Sequence, residues 1–173
     1  MMTTASTAPK PGFFARLFAG PDERGSDLYA AIVAEARRPK WYLAYGVPDT
    51  IDGRFDMVSL VLSLVLLRLE REGRDADAVR LTEAFIADMD GQIREIGFGD
   101  LSVGKQVGGI MALLGGRLGA LRSGADRATL ERALWRTSPP DAPIVEAALR
   151  DVVTLRGSID AVPVARLLAG ALS

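Results

Sequence analysis

The chain contains no cysteine and no histidine among its 173 residues. Without cysteine it can form no disulfide, thiolate nucleophile, iron–sulfur ligation or zinc finger. Without histidine it can build no Ser-His-Asp triad, and it offers no imidazole as a base or as a ligand for haem or zinc. Carboxylates, arginines and three lysines (Lys10, Lys40 and Lys105) remain for chemistry. The composition therefore disfavours an enzyme, and it predicts no cofactor and no stable haem binding.

An excess of charge of either sign is also missing, because 21 Lys and Arg oppose 22 Asp and Glu. No global field would attract nucleic acid, so no nucleic-acid partner is expected. The uncharged stretch at 57–67 is too short for a bilayer crossing, which needs about 20 apolar residues. Residues 1–8 lack the basic and apolar regions of a signal peptide. These features predict a soluble, cytoplasmic protein, and peripheral contact with the inner face of the cytoplasmic membrane stays open.

Apolar residues recur at helical spacing and never alternate convincingly as in a strand, which predicts an all-α fold. Residues 1–24 are predicted to be a flexible arm, and residues 25–173 a single helical domain of about seven helices. The arm includes an aromatic cluster at 13–18, which either packs back on the domain or docks on a partner or membrane surface. The helices are predicted at 27–38, 49–72, 75–96, 103–122, 126–136, 143–156 and 163–172, with an aromatic loop at 39–48 and a turn at 97–100.

Two of these helices have unusual compositions. The helix at 49–72 is apolar nearly all round, which is typical of a central, buried helix. The helix at 103–122, with Ser102 as its expected N-cap, contains six glycines, among them those at 108, 109, 115, 116 and 119, and each costs about 1 kcal/mol relative to alanine. Close approach of a neighbouring helix, or a kink, would explain these glycines. Whether Gly91 interrupts the helix at 75–96 stays open.

The first segment with candidate chemistry combines aromatic residues with carboxylates. Trp41, Tyr42 and Tyr45 precede a run that contains Asp49 and Asp52. Its simplest interpretation is an aromatic loop that covers the core, followed by helix capping by the two carboxylates.

The second segment contains Asp88 and Asp90, with Asp100 after a glycine turn. Residues two apart diverge on a helix, and the run does not match an EF-hand loop. Capping, or pairing with Arg94, is therefore favoured over binding of a divalent ion.

The third segment, at 97–105, has the glycine and lysine spacing of a phosphate loop. Gln106 stands where that loop needs a hydroxyl, and no strand precedes the segment, so nucleotide binding is rejected. Gly97 as a helix C-cap and Ser102 as an N-cap account for the pattern.

These segments, in this order, resemble the ubiquinol–cytochrome c chaperone family, whose members assist assembly of the cytochrome bc1 complex. The matching runs are LYAAIVAEAR at 28–37, YGVPDTIDGRFDM at 45–57, RLTEAFIADMDGQIREIGFGDLSVGKQV at 80–107 and GGRLGAL at 115–121. The second and third runs are the most specific. Together the runs cover most of residues 28–122.

The resemblance implies an all-helical, non-catalytic assembly chaperone that holds newly made cytochrome b, or another bc1 subunit, through an apolar groove. It also implies that a small partner protein takes part. Carried onto this sequence, the implied partner-binding surface is Trp41, Tyr42, Pro48, Asp49, Arg54, Phe55, Asp88, Asp90, Gly97, Asp100 and Lys105.

Two other functions stay open on the residues alone. One is a divergent helical interaction protein that pairs with a different partner through its glycine-rich helix. The other is a domain that binds a metal ion or small ligand through the carboxylates at 88, 90 and 100 together with Lys105.

Overall fold

The structure, a computed structural model, describes residues 23–95 and 100–173. Every regular element within these two ranges is a helix, so the predicted all-α fold is confirmed. The described residues form eight helices: α1 Glu23–Ala36, α2 Pro39–Leu43, α3 Ile51–Arg71, α4 Asp75–Glu95, α5 Asp100–Ser123, α6 Arg127–Trp135, α7 Ala142–Ala161 and α8 Val164–Leu168. The aromatic cluster at 13–18 and most of the turn at 97–100 lie outside the described residues. None of the described helices combines the length and apolar character needed to cross a membrane.

Helix α3 is the centre of the fold, as its all-round apolar sequence predicts. It packs against α1, α4, α5, α6 and α7. Thirteen of its residues from Asp56 onward, with Gly53, are buried, which leaves only its two ends in contact with solvent. A helix surrounded in this way gains its stability from burial of apolar surface on every face.

Several predicted boundaries are wrong. The segment at 39–48 begins with helix α2 instead of a loop, because a proline is well suited to the first helical position, where no N–H is needed. Helix α7 passes through the residues at 157–160 that were expected to end it. Helix α4 continues through Gly91, which answers the question left open there. Helix α5 already begins at Asp100, so Ser102 lies inside it and is not its N-cap. Differences in propensity among these residues are small, and tertiary packing overrides them.

Close approach of a neighbouring helix does not explain the glycines of α5. A Cβ atom added at Gly108, Gly109, Gly115, Gly116 or Gly119 would meet no neighbouring atom within 4 Å. Four of these glycines are exposed, which corrects the expectation of tight packing. The glycines instead leave this exposed face of α5 with few side chains.

Gly53, by contrast, is required by a close approach. It lies in the first turn of α3, where the chain leaves the loop at 44–50, and a Cβ atom there would overlap the carbonyl oxygen of Pro48. The same turn is closed by Thr50, whose Oγ1 accepts a hydrogen bond of 3.1 Å from the Gly53 N–H. The spacing of proline, threonine and glycine in this run is therefore structural.

Alanine substitution should separate the two kinds of glycine. Gly53→Ala should lower the free energy of unfolding by about 1–3 kcal/mol, because the backbone of the loop must shift. Gly108→Ala, the matched control, should raise it by about 0.5–1 kcal/mol, because its methyl group enters open space and removes the helix penalty of glycine. Urea unfolding followed by circular dichroism measures both. Equal effects of the two substitutions would contradict this assignment.

Candidate functional site: a cleft between α3, α4 and α5

The first turn of α3 fixes one wall of the site. Thr50, not Asp49, is the N-cap, so the predicted capping role of Asp49 is wrong. Asp49 Oδ1 instead accepts a hydrogen bond of 2.6 Å from Arg54 Nε, and this bond lowers the pKa of the Asp49 carboxyl. The pair is exposed on both sides, so it orients the Arg54 side chain more than it stabilises the fold.

A cleft of about 400 Å³ opens beside this turn. Its floor is apolar and includes the half-buried Phe55 and the buried Val58 and Met89. Ile51 and Leu113 stand at its edges and are 69% and 62% exposed, which is unusual for large apolar side chains. The full lining is Arg37, Ile51, Asp52, Arg54, Phe55, Val58, Asp88, Met89, Gln92, Gln106, Ile110, Leu113 and Arg136.

A smaller groove of about 310 Å³ continues from the cleft. It is lined by Pro39, Tyr42, Leu43 and Asp49, and it shares Arg37 and Arg54 with the cleft. Leu43, at its edge, is 86% exposed. The two depressions therefore form one surface, in which exposed apolar side chains alternate with arginines.

A buried ion pair lies behind the cleft. Asp56 is 4% exposed and forms salt bridges with two arginines. Arg117 Nη2 donates to Asp56 Oδ1 at 3.0 Å, and Arg136 Nε donates to Asp56 Oδ2 at 2.6 Å. Burial lowers the pKa of Arg117 from its ordinary value, and the charge of Asp56 opposes that shift. Because these arginines come from α5 and from the end of α6, Asp56 joins three elements at one point.

Asp88 reaches the cleft wall from α4 and is held by a phenol. Tyr29 Oη donates a hydrogen bond of 2.7 Å to Asp88 Oδ2. Burial, and then this bond, raise the pKa of Tyr29 above its ordinary value. The Tyr29 ring meets Phe85 edge-on, and Phe85 in turn meets Phe55, with ring centroids 6.4 and 6.1 Å apart. An aromatic column therefore connects the Asp88 wall to the cleft floor.

The carboxylates do not assemble a metal site in the part of the chain that the structure describes. No group of three or more acidic side chains there could hold a metal ion. Asp88 is bonded to Tyr29, and Asp90 is not part of the cleft lining. The structure does not describe the side chain of Asp100 or that of Arg94, the expected partner of the acidic pair.

The cleft and groove bring together five of the residues expected at the partner-binding surface. Phe55 and Asp88 line the cleft, Tyr42 and Asp49 line the groove, and Arg54 lines both. The expectation that Trp41 belongs to the partner-binding surface is wrong, because its side chain is fully buried and cannot contact a partner directly. Its Nε1 donates to the Glu35 carbonyl at 3.1 Å, so it anchors α2 to the end of α1.

Of the remaining expected residues, Pro48, Asp90 and Lys105 lie outside this lining. Pro48 is exposed, and its carbonyl packs against Gly53. Lys105 is exposed but precedes Gln106, which lines the cleft in its place. Gly97 lies outside the described residues.

The partner-binding surface expected from the sequence includes three of the thirteen residues that line the cleft, and the residues that it misses include Arg37, Ile51, Leu113 and Arg136. Ile51 offered a signal, because an isoleucine in the polar first turn of a helix has no core to enter. Leu113 offered another, because it lies on the glycine-rich face of α5. The arginines gave none, since similar residues occur throughout the chain.

The described residues form an all-helical domain with an open apolar cleft rimmed by arginines, an arrangement typical of proteins that bind other proteins. The family model described as ubiquinol–cytochrome C chaperone matches residues 43–173. The chain belongs to this family. It is also similar to a solved structure, the Cbp3 homolog from Brucella abortus, at 29% sequence identity and a TM-score of 0.72, over 87% of each chain. A search of curated proteins gives no match.

The Asp56 ion pair should be essential for the geometry of the cleft. Asp56→Asn should lower the free energy of unfolding by about 3–5 kcal/mol, because it leaves Arg117 and Arg136 without their buried counter-charge. Asp52→Asn is the matched control. This exposed carboxylate contacts Arg136 at 3.2 Å, and its loss should change stability by less than about 1 kcal/mol. Urea unfolding measures both, and a similar small loss for the two variants would contradict the assignment.

Proposed function

We propose that this protein is a non-catalytic assembly chaperone of the cytochrome bc1 complex that holds newly made cytochrome b in the cleft between α3, α4 and α5. The observation that carries the proposal is the exposure of Ile51 and Leu113 on the two sides of an apolar floor. Exposed apolar side chains grouped around a depression typically mark a protein-binding site. Membership of the ubiquinol–cytochrome c chaperone family supports a component of the bc1 complex as the client.

The cleft suits side chains from one face of an apolar helix. Its volume of about 400 Å³ is that of a small-molecule pocket and is too small to enclose a whole helix. A helix laid across the opening would insert apolar residues spaced three and four apart, as in other helix-in-groove complexes. Segments of a membrane protein that have not yet entered the bilayer offer such faces.

Holding a client requires shape and apolar surface, and no bond is made or broken. The absence of histidine and cysteine is compatible with that task. Asp88, a carboxylate of the cleft lining, accepts a hydrogen bond from the Tyr29 hydroxyl. We therefore propose that the protein is not an enzyme, and that it meets its client at the inner face of the cytoplasmic membrane.

Substitutions at the cleft edge should weaken client holding without unfolding the protein. The double variant Ile51→Ser with Leu113→Ser should recover several-fold less cytochrome b than the wild type. Both side chains are already exposed, so their loss should change the free energy of unfolding little. Tagged full-length protein is isolated from crosslinked native membranes, and cytochrome b is quantified by mass spectrometry.

Val153→Ser is the matched control for this experiment. Val153 is 59% exposed on α7 and lies outside the cleft and the groove. It should leave recovery of cytochrome b unchanged. If the wild type recovers no bc1 subunit, and a deletion strain keeps normal levels of the complex, the proposal is wrong.

A further inference from the structure

Arg37 stands at the junction between the cleft and the groove. It follows the last residue of α1 and lines both depressions. Its positive charge opposes the rise in the pKa both of Tyr29, which holds Asp88 of the cleft wall, and of Tyr42 in the groove. Whatever lies across the two depressions must therefore pass this side chain.

Arg37 differs from the other arginines of the lining in its pairing. Arg54 is bonded to Asp49, and Arg136 is bonded to Asp52 and Asp56. Across the described ranges, by contrast, Arg37 forms no salt bridge with any carboxylate. A guanidinium beside an apolar floor, with its donors free, is complementary to a carboxylate carried on an apolar surface.

We infer that the occupant of the cleft is an apolar helical segment that carries an acidic residue at the end of its apolar face, and that Arg37 binds this carboxylate. The inference rests on the proposed function and specifies the chemistry of the client segment. The apolar floor contacts the helix face. The salt bridge to Arg37 fixes where the helix lies along the surface, because Arg37 is at the junction of the cleft and the groove.

The sign of the charge argues against the chain's own arm as the occupant. The aromatic cluster at 13–18 has the required apolar residues, but it contains Arg16 and follows Lys10. Its nearest carboxylates, Asp22 and Glu23, come after it in the sequence, and Glu23 begins α1, about 20 Å along that helix from Arg37. A cationic segment would bring like charge to Arg37. The acidic helix of another protein is the better match.

Two designed peptides test the inference with the full-length protein. Both are 16-residue helices with leucines at helical spacing on one face. One has glutamate at each end of that face and the other has glutamine, so the test does not depend on helix direction. Fluorescence anisotropy of the labelled peptides gives their dissociation constants. The wild type should bind the glutamate peptide about five-fold more tightly, as expected for a partly exposed salt bridge.

Arg37→Gln should abolish this preference and leave the affinity for the glutamine peptide unchanged. Arg38→Gln is the matched control, because Arg38 is the neighbouring exposed arginine and its partner, Glu35, lies outside the cleft lining. It should keep the preference.

Four results would overturn the inference: equal binding of both peptides by the wild type, no binding of either peptide, a preference that survives Arg37→Gln, or stronger binding of a peptide of residues 9–20. If any of them occurs while the cleft-edge variant still loses cytochrome b, the charge assignment fails and the proposed function stands.

Discussion

The buried carboxylate of Asp56 is the constraint on which the rest of the site depends. It is desolvated near the N-terminal end of the central helix, where a lone buried charge would cost several kcal/mol, and two arginines offset that cost. One arginine comes from α5 and the other from the C-terminal cap of α6. Because a buried charge must keep its partners, the three elements are held in one arrangement, and that arrangement is what opens the cleft.

Arg136 shows how strongly this constraint acts on the backbone. It has a φ of 57°, a value that strains a non-glycine residue by about 1–3 kcal/mol. The strain persists because the guanidinium bonds to both Asp56 and Asp52, and it projects Arg136 into the cleft lining. A glycine at this position would relieve the strain and would lose both bonds.

The sequence predicts the helices and the central place of α3 because these follow from local periodicity. It also identifies the run at 47–56 as special, and the structure explains that run through Thr50, Gly53 and Asp56. The Asp56–Arg117 contact could not be predicted, since it joins residues 61 apart that no local rule connects. Trp41 was misplaced for a related reason, because an aromatic residue near prolines can cover a core or enter it, and only tertiary packing decides.

The exposed glycines of α5 acquire a physical meaning beside the cleft. The first half of the helix, with Gly104, Gly108 and Gly109, has low intrinsic stability, because each glycine costs about 1 kcal/mol relative to alanine. This half also carries Ile110, which forms one side of the cleft together with Leu113 just beyond it. Its position must therefore come from tertiary anchors further along, namely the buried Leu114 and the bond from Arg117 to Asp56. The first half of α5 is weakly stabilised and is anchored further along the helix, so it can adjust to different apolar helix faces. A rigid helix would fit only one such face. For an assembly chaperone of the bc1 complex, such adjustment gives a physical reason for a helix with so many glycines beside the cleft.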